Sequence, residues 1–383
     1  MYLLLLAVIY LAFISLGLPD SLLGSAWPTI HAAFNVPISY MGFVSMIISG
    51  GTIISGLMSE RLTKRLGTKT VTITSVLLTA IALFGFSTVD RFWQMCLWSI
   101  PYGLGAGAID AALNNYVALH YNSRHMSWLH CFWGVGTIVS PFIMSYALAN
   151  RTWNSGYRMV GLIQLGIALL LLVTLPVWNV NQSTSREDGK SVGLTGALKI
   201  KGVPFLLLGF FAYCAAEATT MQWASTYFVE VKGIAADRAA GFAALFYIGI
   251  TAGRFISGII TDRLGDRKMI LLGTGILVCG IFILCLPVKS YTVAFAAFLV
   301  IGLGCAPIYP CIIHSTPYNF GAENSGAIIG IQMASAYVGS TFMPPVFGLI
   351  ANYISLKLMP VYLAFFLILL FIMINKTEKA CRK

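Results

Sequence analysis

Charge is scarce in this chain. Asp, Glu, Lys and Arg together make up 10% of its 383 residues, whereas about a quarter of the residues in a soluble domain are charged. Hydrophobic residues make up 58%, so the folded chain could not cover itself with a surface that water solvates. The composition therefore excludes a water-soluble domain and indicates a protein whose solvent is lipid.

Clusters of the residues that carry enzyme chemistry are also missing from the sequence. The five histidines are scattered, and seven of the eight cysteines lie in apolar segments without the spacing of metal ligands. We find no pairing of a nucleophile with a base. We therefore expect no enzymatic activity, no metal and no cofactor. A membrane sensor that transports nothing is an alternative of a different class.

Long apolar segments occupy most of the chain. A segment of about 20 apolar residues crosses a bilayer as a helix, because a helix satisfies its own backbone hydrogen bonds. Twelve such segments are predicted, at residues 2–32, 38–59, 69–88, 93–119, 126–149, 157–178, 203–229, 238–261, 268–288, 291–314, 324–350 and 356–375. Several of them are too long for one straight crossing, which predicts tilted or broken helices. The fold class is therefore an all-α membrane protein with twelve transmembrane helices.

The positive charge of the chain is distributed unevenly. The formal net charge is +11, and 16 of the 24 Lys and Arg residues fall in the segments on the same side as the two termini. This bias follows the positive-inside rule and predicts that both termini are cytoplasmic. We expect a multi-pass protein of the plasma membrane, which in a bacterium is the inner membrane, and no binding to nucleic acid.

A charged hairpin bounded by glycine occurs once in each half of the chain. Residues 258–268 read Gly-Ile-Ile-Thr-Asp-Arg-Leu-Gly-Asp-Arg-Lys, and a looser copy lies at residues 56–69. A polar, basic segment lies midway between the predicted spans. We therefore predict an N-terminal six-helix bundle at 1–178, a cytoplasmic linker at 179–201, and a C-terminal six-helix bundle with a short basic tail at 202–383. Two pseudo-symmetric six-helix repeats are typical of transporters that bind their substrate midway through the membrane.

Three acidic residues lie well inside predicted helices, namely Asp20, Asp110 and Glu217. A carboxylate at that depth is costly unless it is paired, hydrated or protonated, and burial favours the protonated form of a carboxyl group. We therefore predict that these three residues couple transport to protons. The alternative is that they are hydrogen-bonded structural acids. Asp110 and Asn114, one helical turn apart, could also present oxygen atoms to Na⁺.

The hairpin at 258–268 resembles the loop motif of the major facilitator superfamily, and the chain resembles that superfamily over essentially its full length. The resemblance implies that the hairpin aspartate contacts a neighbouring helix end and holds the outward-facing state. The gating residues so identified are Glu60, Arg61, Gly258, Asp262, Arg263, Gly265 and Arg267. The first copy departs from the motif, because its acid is glutamate and an extra helical turn separates Arg61 from the basic residues that follow.

Within the superfamily, the chain most resembles the fucose–proton symporter group. The matching residues are Gly17-Leu-Pro-Asp20 with Trp27-Pro28 in helix one, Asp110 with Asn114 in a glycine-rich helix four, His130, Gly134, Gly136 and Pro141 in helix five, Ala306-Pro-Ile-Tyr-Pro310 in helix ten, and the Gln332 region of helix eleven. The resemblance implies that the acids of helices one and four serve proton coupling and sugar binding. The candidates for substrate binding are Trp27, Asn114, His130, Trp133, Gln164, Gln222, Trp223, Tyr309 and Gln332.

These observations predict a monomeric secondary transporter that imports a sugar or a related polyol together with protons by alternating access. Its expected partners are a small sugar-like molecule and the lipid bilayer. A sodium-coupled sugar symporter is one alternative, and a drug or metabolite–proton antiporter is another. The antiporter reading is weakened by helix five, where Gly134-Val-Gly136 is followed by Pro141 without the paired glycines that end the usual antiporter signature.

Overall fold

The computed structural model describes residues 2–36, 40–176, 178, 193–233, 236–286 and 291–381, and none of these residues forms a strand. The helices are α1 Tyr2–Asp20, α2 Leu22–Phe34, α3 Met41–Leu66, α4 Thr68–Phe86, α5 Phe92–His120, α6 Ser123–Asn150, α7 Trp153–Val173, α8 Gly193–Ala197, α9 Val203–Glu230, α10 Ala236–Leu264, α11 Asp266–Cys285, α12 Tyr291–Cys305, α13 Ile308–Phe320, α14 Ala322–Ile350 and α15 Met359–Cys381. Most of the predicted linker, residues 179–192, lies outside the described residues, and α8 follows it directly.

The all-helical fold class is confirmed. If two broken helices are each counted once and the short α8 is set aside, the described residues form twelve long helical segments in the predicted order. Eight stretches of the described chain are long and apolar enough to cross a membrane by length and composition. The apolar helix of the first span, Leu4–Asp20, is shorter than these because a turn at Ser21 separates α1 from α2.

Two of the predicted spans are broken, and the length of one of them, 2–32, suggested a break. Pro19 lies in the last turn of α1, directly before the break at Ser21. The second break falls between α12 and α13, where Ala306 and Pro307 form a turn. Proline has no backbone N–H to donate to the preceding turn, so a helix tends to end or bend near it. The first break places Asp20 at the end of a helix in the interior of the first span.

The chain divides into two compact units. Unit 1 contains residues 1–116 and 132–191, and unit 2 contains residues 117–131 and 192–383. In unit 1, α4 packs on α7, and α1 also contacts α7. In unit 2, α9 packs on α14 and α15, while α10 and α11 both pack on α12. The start of α6 therefore groups with unit 2, although the sequence places it in the first half.

The two charged hairpins have the same backbone turn. Gly67 ends α3 with φ 80° and ψ 151°, and Gly265 ends α10 with φ 79° and ψ 156°. The N–H of Gly67 donates to the carbonyl of Thr63 at 2.8 Å, and that of Gly265 donates to Thr261 at 2.7 Å. A positive φ of this kind costs glycine little and other residues more. The duplication is therefore a repeat of backbone geometry as well as of composition.

Candidate functional site

Asp20 forms the centre of a polar cluster in unit 1. It is the last residue of α1, and its side chain is exposed although its neighbours along α1 are buried. One carboxylate oxygen accepts a hydrogen bond from the Tyr102 hydroxyl on α5, and the other accepts one from the Trp133 indole N–H on α6, both at 2.9 Å. Both partners are neutral donors. The structure thus brings together the predicted residues Asp20 and Trp133, and it adds Tyr102.

Close contact between α1 and α6 positions this cluster. A Cβ atom on Gly17 would lie 2.1 Å from the carbonyl oxygen of Trp133, and one on Gly136 would lie 2.4 Å from that of Ile14. Only glycine allows the two backbones to approach this closely. The Ser21 hydroxyl, at the break after α1, donates to the carbonyl of Thr137 at 2.7 Å. These contacts hold the indole of Trp133 against the Asp20 carboxylate. The side chain of Trp27 lies outside the described residues.

Asp110, also in unit 1, is more deeply buried than Asp20. Its exposed fraction is 5%, and Asn114 is fully buried one turn later on α5. The Asn114 amide nitrogen donates to the carboxylate of Asp110 at 2.8 Å and to its backbone carbonyl at 2.9 Å. The preceding glycines let other helices approach, since a Cβ on Gly103 or Gly107 would lie 2.2 or 2.1 Å from a carbonyl oxygen of α3. Asp110 is therefore a buried acid with an amide partner.

Gln164 is a third buried polar residue of unit 1. Its amide nitrogen donates to the carbonyl of Ser15 at 2.8 Å, and its amide oxygen accepts a hydrogen bond from the Ser15 hydroxyl. The same nitrogen lies 3.4 Å from the Thr79 hydroxyl on α4. These bonds join α1, α4 and α7. They favour a role in packing over the substrate contact that we predicted for Gln164.

An ion pair between Glu217 and Arg254 lies inside unit 2. The guanidinium of Arg254 on α10 is 3.3 Å from the carboxylate of Glu217 on α9, and the two side chains are 4% and 14% exposed. Arg254 also donates to the backbone carbonyl of His130 at 3.5 Å. The charge of Glu217 is thus balanced by a neighbouring cation. This geometry favours the structural interpretation of Glu217, so we assign proton coupling to Asp20 and Asp110 in the proposal below.

Replacing Glu217 with Gln should destabilise the protein by about 3–5 kcal/mol, because the Arg254 charge would remain buried without its anion. Replacing the pair together, as Glu217→Leu with Arg254→Met, should restore most of the loss, since no unpaired charge is left. Thermal unfolding in detergent measures both effects. A Glu217→Gln protein that unfolds at the wild-type temperature would instead support a proton-carrying role, in which glutamine imitates the protonated acid.

The remaining substrate candidates of unit 2 fall into three environments. The ring of His130 packs edge-on against Tyr309, with ring centroids 4.8 Å apart. Gln332 is fully buried and accepts a hydrogen bond from the Thr316 hydroxyl at 2.9 Å. The Trp223 indole donates to the carbonyl of Pro344 at 3.0 Å, and Gln222 beside it is exposed. The structure thus brings His130 and Tyr309 together, whereas Gln332 and Trp223 each bond to other residues.

The second charged hairpin contacts the start of α6. One carboxylate oxygen of Asp262 lies 3.0 Å from the Arg124 guanidinium, and the other accepts from the Arg124 backbone N–H at 3.1 Å. Arg124 is the second residue of α6, so the carboxylate also faces the positive end of the helix dipole. Sequence reasoning missed Arg124, although a basic residue beginning a span is a recognisable signal. Arg267 pairs with Glu378 at the end of α15, and Arg263 is exposed.

In the first charged hairpin, the acid pairs with a residue of its own helix. Glu60 pairs with Lys64 one turn later on the same helix at 3.0 Å, and Arg61 is exposed. Such a pair between exposed or partly exposed side chains on one helix adds only a few tenths of a kcal/mol. In unit 2, the hairpin acid pairs with a residue of another helix. The two hairpins share a backbone turn but have different side-chain partners.

Gly258 lies under the indole of Trp128. A Cβ atom at this position would be 2.2 Å from the indole nitrogen, which itself donates to the carbonyl of Phe255 at 3.3 Å. Gly258→Ala should therefore cost about 1–3 kcal/mol, because the indole must move. Thermal unfolding in detergent is the measurement. Gly275→Ala is the matched control, since a Cβ at Gly275 meets open space.

The cost of Gly258→Ala should largely disappear in a Trp128→Ala background, because the two residues touch and their effects are not additive. Equal costs in the two backgrounds would contradict the contact. The motif predicts a glycine at position 258, and the contact with Trp128 explains why a residue without a Cβ atom is needed there.

Comparison with known proteins agrees with this architecture. The family model described as Major Facilitator Superfamily matches residues 9–330 and 239–379. The fold is similar to that of the E. coli fucose:proton symporter FucP, with a TM-score of 0.76, 18% identity, and coverage of 97% of this chain and 99% of that one. It is also similar to the proton:xylose symporter XylE, with a TM-score of 0.80, 14% identity, and coverage of 97% and 94%.

Curated relatives are distant and diverse. The chain is 23% identical over 285 residues to the Bypass of stop codon protein 6 of Saccharomyces cerevisiae, a match that covers 67% of this chain and 56% of the length of that protein. Other relatives, at 23–24% identity, include a glucose/mannose transporter and a hexuronate transporter of Bacillus subtilis and a probable nitrate/nitrite antiporter of Thermus thermophilus. Because the family model spans nearly the whole sequence, the chain belongs to the major facilitator superfamily.

Proposed function

We propose that this protein is a secondary active transporter that carries a sugar or related polyol together with protons. The observation that carries the proposal is the Asp20 cluster, in which an exposed carboxylate inside a span meets an indole and a phenol. The two structural relatives described above are named as fucose and xylose symporters that use protons. At 18% and 14% identity these proteins share the fold with this chain, and the proposed substrate class follows from the chemistry of the cluster.

The chemistry of the cluster suits a molecule rich in hydroxyl groups. A carboxylate accepts hydrogen bonds from hydroxyl donors, and an indole ring packs against the C–H faces of a sugar ring. Trp133 supplies the ring and Tyr102 a further hydroxyl, each bound to a different oxygen of Asp20. A ligand hydroxyl could therefore join a cluster that is already ordered, which lowers the entropy cost of binding.

The same cluster is suited to bind a proton. Trp133 and Tyr102 stabilise a carboxylate by donating to it, but neither brings a positive charge. An acid at this depth is costly in its charged form, so protonation is a direct way to neutralise it. Asp110 lies on the same helix as Tyr102, eight residues further on, which is about 12 Å along the axis. In the proposal, Asp20 binds the sugar and takes up the coupling proton together with Asp110, which lies in the interior of unit 1.

Conformational gating is the third part of the proposal. A movement that draws α6 away from α10 must break the ion pair between Arg124 and Asp262. The hairpin at 258–268 would then control opening on the side of the membrane at which it lies. The excess of Lys and Arg on this side favours the cytoplasm. Both termini would then be cytoplasmic. We expect the carrier to take its substrate up into the cell and to work as a monomer.

Sodium coupling is less well supported by the geometry of Asp110. A sodium ion would take oxygen ligands, whereas the Asn114 group that faces the Asp110 carboxylate donates an N–H. A cation at this position would have to displace that hydrogen bond. Uptake measured at fixed pH, with and without sodium, separates the two cases.

A thermal-shift screen of purified protein tests the proposal. Sugars, polyols and cationic drugs would each be added at pH 5.5 and pH 7.5. A sugar present at 100 times its dissociation constant should stabilise the folded state by about 2.7 kcal/mol, and more strongly at the lower pH. The hits would then be tested for uptake into vesicles driven by a proton gradient. Stabilisation by cationic drugs alone, together with dye efflux from cells, would overturn the sugar proposal in favour of an antiporter.

A further inference from the structure

His314 joins three segments of unit 2 beside the charged hairpin. It lies on α13, and its Nδ1 atom is 2.7 Å from a carboxylate oxygen of Asp266, the first residue of α11. Its Nε2 atom is 3.0 Å from the backbone carbonyl oxygen of Tyr121, which precedes α6. The other carboxylate oxygen of Asp266 accepts a hydrogen bond from Ser123, the first residue of α6. The imidazole therefore bridges α11 to the start of α6.

The number of protons in this bridge follows from its geometry. A neutral imidazole has one nitrogen that donates and one that accepts, whereas the cationic form donates from both. A backbone carbonyl can only accept, and a carboxylate accepts from both of its oxygens. Both hydrogen bonds can therefore form only when His314 and Asp266 hold one extra proton between them. Either the imidazole is then cationic, or the carboxyl group of Asp266 is protonated. Without that proton, a nitrogen lone pair faces an oxygen lone pair at 2.7 or 3.0 Å.

The charges around the imidazole also balance only with this proton. Among the described residues, the charged groups that act on the imidazole are Asp266 on α11 and Asp262 on α10. Arg124 pairs with Asp262, the ring of His125 contacts that of Tyr121, and Cys311 on α13 lies beside Asp266. Protonated His314 and Arg124 together carry two positive charges, against the two negative charges of the aspartates. Loss of the proton leaves one net negative charge in a part-buried cluster, which is unfavourable.

We propose that protonated His314 is a latch that holds the start of α6 against α11 and α13, and that loss of its proton releases α6. The neutral ring keeps its hydrogen bond to Asp266, because that bond is to a charged acceptor, and it gives up the bond to Tyr121. The latch is a positioning device that touches no substrate. Its assignment to the opening step of a transport cycle rests on the proposed function, but its existence does not.

The direction of the pH effect follows from linkage. The latched arrangement binds one more proton than the released one, so its population falls as the pH rises through the range in which His314 loses that proton. For one linked proton, the equilibrium between the two arrangements changes by up to about tenfold per pH unit. Acid therefore closes the latch and alkali opens it.

Hydrogen–deuterium exchange of the purified full-length chain tests the latch without any substrate. The readout is the protection of the amides of residues 117–128 between pH 5.5 and 8.5, corrected for the intrinsic exchange rate at each pH. In wild type, protection should fall with rising pH by up to about tenfold per unit. In His314→Gln, which cannot donate to both acceptors, this slope should vanish. His120→Gln makes the same substitution within the same peptide and should keep the wild-type slope.

A second variant keeps the test decisive if His314→Gln does not fold. His314→Lys retains a positive charge throughout this pH range and has donors for both acceptors, so the peptide should stay protected at every pH. A wild-type protein without the slope would overturn the proposal. So would a His314→Gln or His314→Lys protein that keeps the slope. A chain that failed to transport sugar would contradict the proposed function but would leave this exchange result unaffected.

Discussion

Asn in place of Asp20 should abolish proton-driven accumulation of sugar in vesicles and weaken sugar binding by about 10-fold to 100-fold. The substitution changes the shape of the side chain little, but it removes the charge and adds an N–H donor. That donor must face either the indole N–H of Trp133 or the hydroxyl of Tyr102. A hydrogen bond to a charged group contributes about 1.5–3 kcal/mol, which corresponds to the stated loss of affinity. Uptake of labelled sugar and ligand-induced thermal shifts measure the two effects.

Two matched variants separate the charge of Asp20 from its surroundings. Trp133→Phe and Tyr102→Phe each remove one donor to the carboxylate and leave the carboxylate in place. Each should reduce the affinity for sugar by less than Asp20→Asn does, and each should still drive accumulation, because the titrating group remains. If Asp20→Asn accumulates sugar as wild type does, Asp20 is not part of the transport site.

Much of this cluster could be anticipated from the sequence, but the identity of its partners could not. Asp20 is recognisable because a carboxylate among apolar residues is costly, and the nearby proline predicts the break that ends its helix. Trp133 was a candidate, since it lies on a span with other polar residues. Tyr102 was missed because one tyrosine in an apolar helix gives no pattern. Its bond to Asp20 depends on how closely α1 approaches α5, which no local spacing encodes.

The partners of the charged residues in unit 2 could not be predicted from the sequence either. Glu217 is a candidate from the sequence, but its partner Arg254 lies 37 residues away on another helix, so their pairing depends on how α9 packs against α10. Asp262 was identified by its motif, whereas its partner Arg124 lies 138 residues away. Sequence reasoning therefore located the buried and hairpin charges. It could not distinguish a charge with a fixed partner from one that faces a substrate.

The comparison of the two hairpins refines what duplication implies. Their glycines adopt the same backbone angles, so the turn itself is preserved by the need for a positive φ. Their acids are under no such constraint, and they differ: Glu60 pairs within its own helix, and Asp262 reaches α6. A backbone repeat is thus compatible with separate roles. In the proposal, unit 1 carries the carboxyl groups for sugar and proton, and the hairpin of unit 2 carries the gate.

Asn in place of Asp110 should abolish accumulation but leave exchange of sugar across the membrane intact. The Asn114 amide donates to the Asp110 side chain at 2.8 Å, and an asparagine oxygen at position 110 can accept the same bond. The variant should therefore fold and resemble the permanently protonated state. For one proton per sugar, each pH unit supports about tenfold accumulation, and this gain should be lost completely. Counterflow exchange needs no net proton movement, so it should continue at a rate near that of wild type.

Asp110→Glu is the matched variant, because it retains a group that can titrate at the same position. It inserts one methylene into a buried site, which should cost about 1–3 kcal/mol of stability, but it should restore accumulation in part. Both variants would be reconstituted in vesicles, and uptake and counterflow would be measured with the same labelled sugar. An Asp110→Asn protein that still concentrates sugar would assign the coupling proton to Asp20 alone. If both counterflow and accumulation are lost, Asp110 instead serves folding or the sugar site, because a group that only carries the proton is not needed for exchange.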